Sequence, residues 1–382
     1  MSVDVVQLSA AEFEEGMDFL NEVFGEHRPH NFATLLPAIY QPTDELMACN
    51  RAVRVDGVIK AIVGLFPKQW HVGDTVLKVG GIGGVSTHKS ARGAGYMSLL
   101  MTHCVQVMRD EGHHLSWLGG QRQRYGYFGY EKCGTTVELN LTPDNLRHAL
   151  PETDIRFQSM GPDDTESLQF AHRLHQAQPS HCERSADMFY RNLISWYHEP
   201  HLARNADGDP VAYLVANEDG GQILELVATD DEVAQEVAGA WVRQRGQGAN
   251  FVMADTATGL QRRLSALAEG VQVSPSGNWQ IYDWARTVEA LLRLRSQMVA
   301  LSDGEVVLGI EGYGTLVIRV RDSQVDCQRT QDSALVTWSP FVAMRALFGP
   351  LPPEAVVEVP REVAAINGWC PLPLGWSRQD GV

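Results

Sequence analysis

A chain of 382 residues implies about two or three domains, and a hydrophobic content of 44% suffices to fill their cores. No apolar run approaches the ~20 residues of a membrane span, and the acidic, polar start does not read as a signal peptide. The formal net charge of −16 argues against nucleic acid or anionic membranes as partners; it would draw in a cationic substrate such as an amine, or serve solubility alone.

Residues 3–8 read as a short strand. Ser9-Ala10-Ala11-Glu12 has the spacing of a capping box, and Phe13, Met17, Leu20, Val23 and Phe24 then trace one face of a helix. Residues 26–40, rich in His, Pro and Asn, form an irregular or short helical segment suited to lining a pocket. Residues 46–55 and 58–67 pair about Asp56-Gly57, a strong hairpin signal, and 69–72 pair with 75–79 about Gly73-Asp74. Residues 79–85 alternate apolar residues with glycines, as a strand does when something must approach its backbone closely. Arg92-Gly93-Ala94-Gly95 then opens a helix that carries Met97, Leu100, Met101, Cys104 and Met108 at helical spacing and stops at Gly112.

A strand, a glycine turn and a helix N-terminus with Lys89 and Arg92 nearby make an anion site. Bare amides and the positive end of the helix dipole both favour phosphate, so the stretch points to a phosphate-bearing cofactor. Gly93-Ala94-Gly95-Tyr96-Met97-Ser98 nearly fits the dinucleotide fingerprint, with Glu111 at a suitable distance, which keeps an NAD-linked oxidoreductase in view. Against it, Ser98 replaces the third glycine, two cations sit in the turn, and no run of alternating strands and helices follows. A glycine turn with no ligand is the bland alternative, and the glycines crowding the preceding strand weigh against it.

Residues 113–118 form the next strand, broken by Gly119-Gly120. Downstream, Tyr127, Phe128 and Tyr130 read as packed aromatics, while Tyr125, close after the two glycines, is the candidate for chemistry. Residues 137–141 give a last strand before the 143–151 connection.

Residues 154–285 repeat this order. A strand at 155–158 leads into a helix opened by Gly161-Pro162-Asp163-Asp164; strands follow at 202–205, 211–217 and 222–227, then a helix at 231–243, a strand at 251–254 and another helix. No glycine-rich loop joins strand to helix, so this reads as a second copy of the fold without the phosphate cradle. His172, His175 and His181 with Cys182 lack the glutamate of a metalloprotease helix and read as solvated helix residues. The six cysteines contain no CxxC pair, which suggests free thiols in a reducing cytoplasm rather than a disulfide frame or zinc site. From about Arg286, an amphipathic helix (Val288, Leu291, Leu292, Leu294, Met298) precedes strands at 305–310, 315–320, 325–329 and 334–337. A helix with Phe341, Met344, Leu347 and Phe348 ends at Gly349-Pro350, and the tail from Trp369 to Trp376 is too apolar to be free.

Ser90-Ala91-Arg92-Gly93-Ala94-Gly95 resembles the pyrophosphate-binding motif of the GNAT superfamily of acetyl-CoA-dependent N-acetyltransferases, (Gln/Arg)-x-x-Gly-x-(Gly/Ala), with Ser90 where a long polar side chain is usual. The order of the whole chain resembles the Eis-like (enhanced intracellular survival) acetyltransferases. That resemblance implies an α/β (α+β) chain of tandem GNAT folds with mixed central sheets, catalytic over residues 1–150 and degenerate over 151–285. A sterol-carrier-protein-like α+β domain over 286–382 would send its tail to the active site. It also implies acetyl-CoA as donor, no metal, a primary amine of a cationic small molecule, peptide or lysine side chain as acceptor, and a homo-oligomer, hexameric in the family. The family's cofactor contacts fall on Gly83, Gly84, Val85, Ala91, Arg92, Gly93, Ala94, Gly95, Tyr96, Gly120 and Gln121. Its proton donor matches Tyr125, and its proton acceptor is the C-terminal carboxylate, here on Val382, seated by residues 369–376 with Asp380 as a second negative charge near the acceptor. A catalytically inactive CoA-binding or scaffold protein of the same fold is the binding-only alternative.

Overall fold

The computed structural model describes residues 3–25 and 31–382; residues 26–30 of the segment expected to line a pocket lie outside that range. Strands β1 (Val3–Gln7), β2 (Asn50–Val55), β3 (Val58–Val72), β4 (Thr75–Thr87), β5 (Leu115–Leu118) and β6 (Glu131–Cys133) belong to the first of three sheets. The Ser9 amide and hydroxyl both donate to Glu12, completing the capping box ahead of the helix Phe13–Gly25. At the first hairpin Asp56 (φ +49°) and Gly57 (φ +83°) are both left-handed, which the tight turn between the paired Val55 and Val58 requires. Two differences are local. Leu46 and Met47 lie in a helical turn, Asp44–Met47, capped by the Thr43 hydroxyl, so the strand starts only at Asn50. The segments expected at 58–67 and 69–72 are one continuous strand, β3.

The remaining strands do not stay with their neighbours in sequence. β7 (Thr136–Leu141), β8 (Arg156–Ser159), β10 (Glu199–Arg204), β11 (Pro210–Ala216), β12 (Gln222–Ala228), β13 (Ala249–Ala254) and β14 (Gly270–Ser274) make the second sheet, in the order β14-β7-β13-β12-β11-β10-β8. Thus residues 136–141, expected as the last strand before the connection, lie deep in the second sheet between β13 and β14. In return β15 (Gly277–Ile281) inserts between β5 and β6, and β9 (Ser180–Cys182) pairs with the far end of β3. Each sheet therefore contains hydrogen-bonded strands from the other's stretch of sequence. The third sheet, β18-β17-β16-β19, is built from β16 (Gly304–Ile310), β17 (Gly314–Arg321), β18 (Gln324–Thr330) and β19 (Val336–Trp338). The helices Trp284–Met298 and Pro340–Phe348 supply its apolar cover. The chain is thus mixed α/β with mixed sheets, as expected.

One apolar core runs from the end of the first sheet into the third. It joins Trp70, Leu77, Val79 and Trp279 to Trp284, Leu291, Leu308, Phe348 and Trp369. Trp279 is fully buried on the inserted strand, with its indole N–H donating to the Ser276 hydroxyl. Trp279→Ala should lower the unfolding free energy by roughly 3–5 kcal/mol, the usual cost of emptying an aromatic site. Urea unfolding checks this; a loss below ~1 kcal/mol would mean that β15 contributes little to the core.

Candidate active site

β4 and β5 are joined by the helix Tyr96–Asp110 and pair in parallel from Val79↔Leu115 to Ile82↔Leu118. There β5 ends, while β4 continues to Thr87. Opposite Val63, β4 carries two residues, Gly84 and Val85, where the ladder shifts between Gly64↔Gly83 and Ile62↔Ser86. This is a β-bulge with Gly84 at φ +57°; the Ser86 hydroxyl donates to the Gly84 carbonyl at 3.0 Å and holds the kink. A bulge takes one residue out of the ladder and bends the strand, and here it does so on β4 just past the last residue paired with β5.

After the short turn Lys89–Ala91, Gly93 (φ +85°) and Gly95 (φ +81°) lead into the helix. Gly95 is its N-cap and has no side chain to satisfy the first amides, and a Cβ at Gly93 or Gly95 would meet nothing within 4 Å. Arg92, Gly93, Ala94 and Gly95 are exposed, whereas Ala91 is buried beneath them and Tyr96 half-buried. The cradle is open, amide-rich and at the positive end of a 15-residue helix. The corresponding end in the second sheet differs. There β12 and β13 also run parallel, but the helix Asp231–Arg245 is capped by its own Asp230 carboxylate, which accepts from the amides of Glu232 and Val233, both at 2.9 Å. An anion from the chain already fills that site.

On the far side of the gap, Gly120 has φ +111° and packs against the Tyr125 ring; a Cβ there would lie 2.9 Å from Tyr125 Cε2. Tyr125 sits in the one-turn helix Arg122–Gly126, held by Arg122, which forks onto the buried Glu131 carboxylate. The Tyr125 ring is buried in the cluster that includes Leu100, Leu118 and Tyr130, with Val85, Tyr96 and Met97 packed on it. Burial pushes its hydroxyl pKa up, partly offset by Arg124. Gln121, just before this helix, is exposed. The end of β5 is tied down by Asn278 of the inserted β15, whose amide donates to the carbonyls of Leu118 (3.3 Å) and Gly120 (3.1 Å).

Val382, the last residue of the sequence, lies against β4. A Cβ at Gly83 would fall 2.6 Å from its main-chain carbonyl carbon, and one at Gly81 would fall 3.0 Å from its side chain. The apolar surroundings of Val382 include Phe32, Tyr40 and Phe66. Tyr40 is fully buried, and its hydroxyl has no hydrogen-bond partner among the described residues; it lies 2.7 Å from where a Gly84 Cβ would sit. The expected residues thus collect where β4 and β5 part: the cradle at the helix start, Tyr125 beside Gly120, and Val382 beside Gly83.

Three expectations need correction. Tyr127, read as a packed aromatic, is 91% exposed, because its turn buries Tyr125 and Tyr130 and packs Phe128 against the same core but leaves Tyr127 outside. His175 is not solvated: it is buried, with its Nε2 2.8 Å from the Cys182 carbonyl, and burial drives its pKa down to about 4. His172 likewise bonds the Arg184 carbonyl, at 2.7 Å. Asp380 is no free charge near an acceptor, since its carboxylate is buried against the Arg184 guanidinium at 2.8 and 3.0 Å. Asn278 and Arg184 carried no local signal of a site, whereas Tyr40 ends the 26–40 segment expected to line a pocket.

Residues 4–133 match a family model described as an acetyltransferase (GNAT) domain. No curated protein matches the chain. Among solved structures, a GCN5-related N-acetyltransferase from Kribbella flavida superposes with a TM-score of 0.70 at 16% identity, covering 100% of this chain and 98% of that one. Another, from Anabaena variabilis ATCC 29413, gives 0.69 at 14% identity, covering 98% of each. Eis1 from Mycobacterium abscessus gives 0.66 at 13% identity over 99% of this chain and 100% of that one. At these identities the likeness is one of fold. The matched domain contains the glycine cradle, so its physical test is binding of CoA. Gly93→Asp should weaken CoA at least tenfold by titration calorimetry, because it sets a carboxylate into an anion cradle. Gly93→Ala, which adds only the strain of φ +85°, should lose less. Unchanged affinity in a folded Asp variant would move the cradle elsewhere.

Proposed function

We propose that this protein is an acetyl-CoA-dependent N-acetyltransferase acting on a primary amine of a cationic small molecule, peptide or lysine side chain. The observation that carries this reading is the open amide cradle at the helix start beside a bulged, parting strand, in a chain whose second sheet has the same helix end closed by Asp230. In this reading residues 1–150 are the catalytic domain, 151–285 a degenerate copy and 286–382 a sterol-carrier-like domain that delivers the tail.

The cradle fits the pyrophosphate: glycines at positions that leave room for close approach, and amides without a capping side chain. Ala91, Arg92, Gly93, Ala94, Gly95 and Tyr96 would hold it, with Gly120 and Gln121 completing the contacts across the gap. Bound there, acetyl-CoA would supply an acetyl group activated as a thioester. The backbone of Gly83, Gly84 and Val85 would hold and polarise the acetyl carbonyl. Tyrosine titrates near ~10 and a thiol near ~8.5, and burial pushes Tyr125 higher, so complete proton transfer to a departing thiolate is uphill. The Tyr125 hydroxyl would act by donating a hydrogen bond to the sulfur. An α-carboxylate, ordinarily near ~3.5, is a weak base for an ammonium near ~10.4. The Val382 carboxylate would attract and orient the cation, taking its proton late or through water. The net charge of −16 supports a cationic acceptor.

Calorimetry with acetyl-CoA, CoA and NAD, followed by thiol release over a panel of amines, tests the whole reading. Binding of NAD in place of CoA would sink it; CoA binding with no thiol release for any amine would indicate an inactive relative of the same fold. Tyr125→Phe keeps the ring and removes the donor, so acetyl-CoA affinity should hold within a few-fold while turnover falls roughly 10²-fold. Normal turnover would return Tyr125 to the packed aromatics. Extending the chain past Val382 by a few residues, each spanning up to ~3.5 Å, should abolish turnover and spare acetyl-CoA binding. The same tag at Met1 should be harmless. Equal activity of both tagged forms would remove Val382 from the chemistry.

A further inference from the structure

The tail reaches Gly83 by passing through the second sheet. β12 and β13 pair only at Gln222↔Asn250 and Ile223↔Phe251, then separate. A cavity of about 110 Å³ opens between them, lined among others by Glu225, Met253, Trp376 and Asp380, so the chain's own tail lies in this second split. Trp376 marks the entry. Its ring stacks on Trp117 at 5.6 Å and meets Trp70 and Trp279 edge-on.

Beyond Trp376 the contacts become polar, and Gln379 and Asp380 are buried. Arg184 has a side chain only 1% exposed and donates to two carboxylates at once. Its Nη1 and Nη2 meet Glu225 at 3.0 and 2.9 Å, and its Nε and Nη2 meet Asp380 at 2.8 and 3.0 Å. Ser377 bridges the same group, donating to Glu225 at 2.9 Å and accepting from Arg184 at 3.3 Å, while the Tyr213 hydroxyl donates to Glu225 from the neighbouring strand. Burial alone would raise the Glu225 carboxyl, but Arg184 outweighs it and holds the group down to about 2. The residue before Asp380 is held as firmly: Gln379 donates to the carbonyls of Asn192 (2.9 Å) and Leu193 (2.7 Å), and its Oε1 lies 2.7 Å from His198 Nδ1.

We propose that the split second sheet is a dock for the chain's own tail, and that Arg184, paired with Glu225, is a positioning residue that fixes the Val382 carboxylate at Gly83 by gripping Asp380. Val382 stands only two positions beyond Asp380, so the anchored carboxylate can wander no more than ~7 Å, and the grip on Gln379 narrows this further. Errors near 1 Å at a reacting group can cost ~10² in rate, which gives the anchor a catalytic consequence without contact with substrate. Two negative charges share one guanidinium here, so removing one leaves the Arg184–Glu225 pair whole. A loss of Arg184 would instead leave two buried carboxylates together.

The role of Arg184 rests on Val382 being the proton acceptor, and the test separates the two. Asp380→Asn is close to isosteric, and the variant should fold. Carboxypeptidase release of Val382, followed by mass spectrometry on the intact protein, should be at least tenfold faster than in the wild type. Turnover should fall at least tenfold, with KM for acetyl-CoA and calorimetric CoA affinity within about twofold. Arg184→Gln should do the same, with a lower melting temperature besides. A tail as protected in Asp380→Asn as in the wild type would overturn the dock. A released tail with unchanged turnover would overturn the positioning role. Deleting Val382, which moves the terminal carboxylate back one residue onto Gly381, tests the underlying reading alone: retained turnover there removes a carboxylate at the Val382 position from the reaction, while the release rates still decide whether Arg184 holds the tail.

Discussion

Two parallel strands that pair for four residues and then part leave peptide groups that need other partners, because backbone donors and acceptors are seldom left unsatisfied away from water. In the first sheet β4 carries a bulge against β3 at Gly84 and Val85, a serine that bonds back to the kinked carbonyl, and then a helix that starts at a glycine with no capping side chain. The parting has to be rigid to be useful, and its rigidity is supplied from outside. β15, more than 150 residues away in sequence, pairs with β5 and uses Asn278 to fasten its end at Leu118 and Gly120.

The second sheet contains the same parting with a different solution. Its helix start is closed by an aspartate, and the space between its strands is entered by residues of the tail. One arrangement of strands thus supports an opening in one place and a closed, charged grip in the other. The contrast comes down to a few side chains: glycine at 95 against aspartate at 230, and a glycine-rich β4 against a β12 carrying Glu225.

Much of the opening half was legible in the sequence, because its signals are local. Asp56-Gly57 and Gly73-Asp74 dictate turns whatever surrounds them, and the glycines from 80 to 95 announce a backbone that something approaches. The apolar tail likewise announced that it would be received. What could not be read depends on contacts between distant segments. Nothing near residues 277–281 says that they complete the first sheet, or near 136–141 that they join the second. His175 looked solvated because its helix gives no sign of the β9 residues and Glu225 that enclose it. Arg184 stands alone in its stretch; its partners come from positions 41 and 196 residues further on. Tyr127 failed for the opposite reason, since an aromatic-rich turn need not bury all its rings.

The exchange of strands also bears on how the chain is made. A ribosome delivers residues in order, at roughly 5–20 per second, and domains commonly fold as they emerge. Here the residues of the matched family domain, 4–133, are out long before β15 exists, so β5 must wait with one edge bare. A bare edge is an invitation to pair with another chain. The nascent protein therefore passes through an interval of roughly ten seconds or more in which its first sheet is unfinished, and its closure is coupled to synthesis of the second.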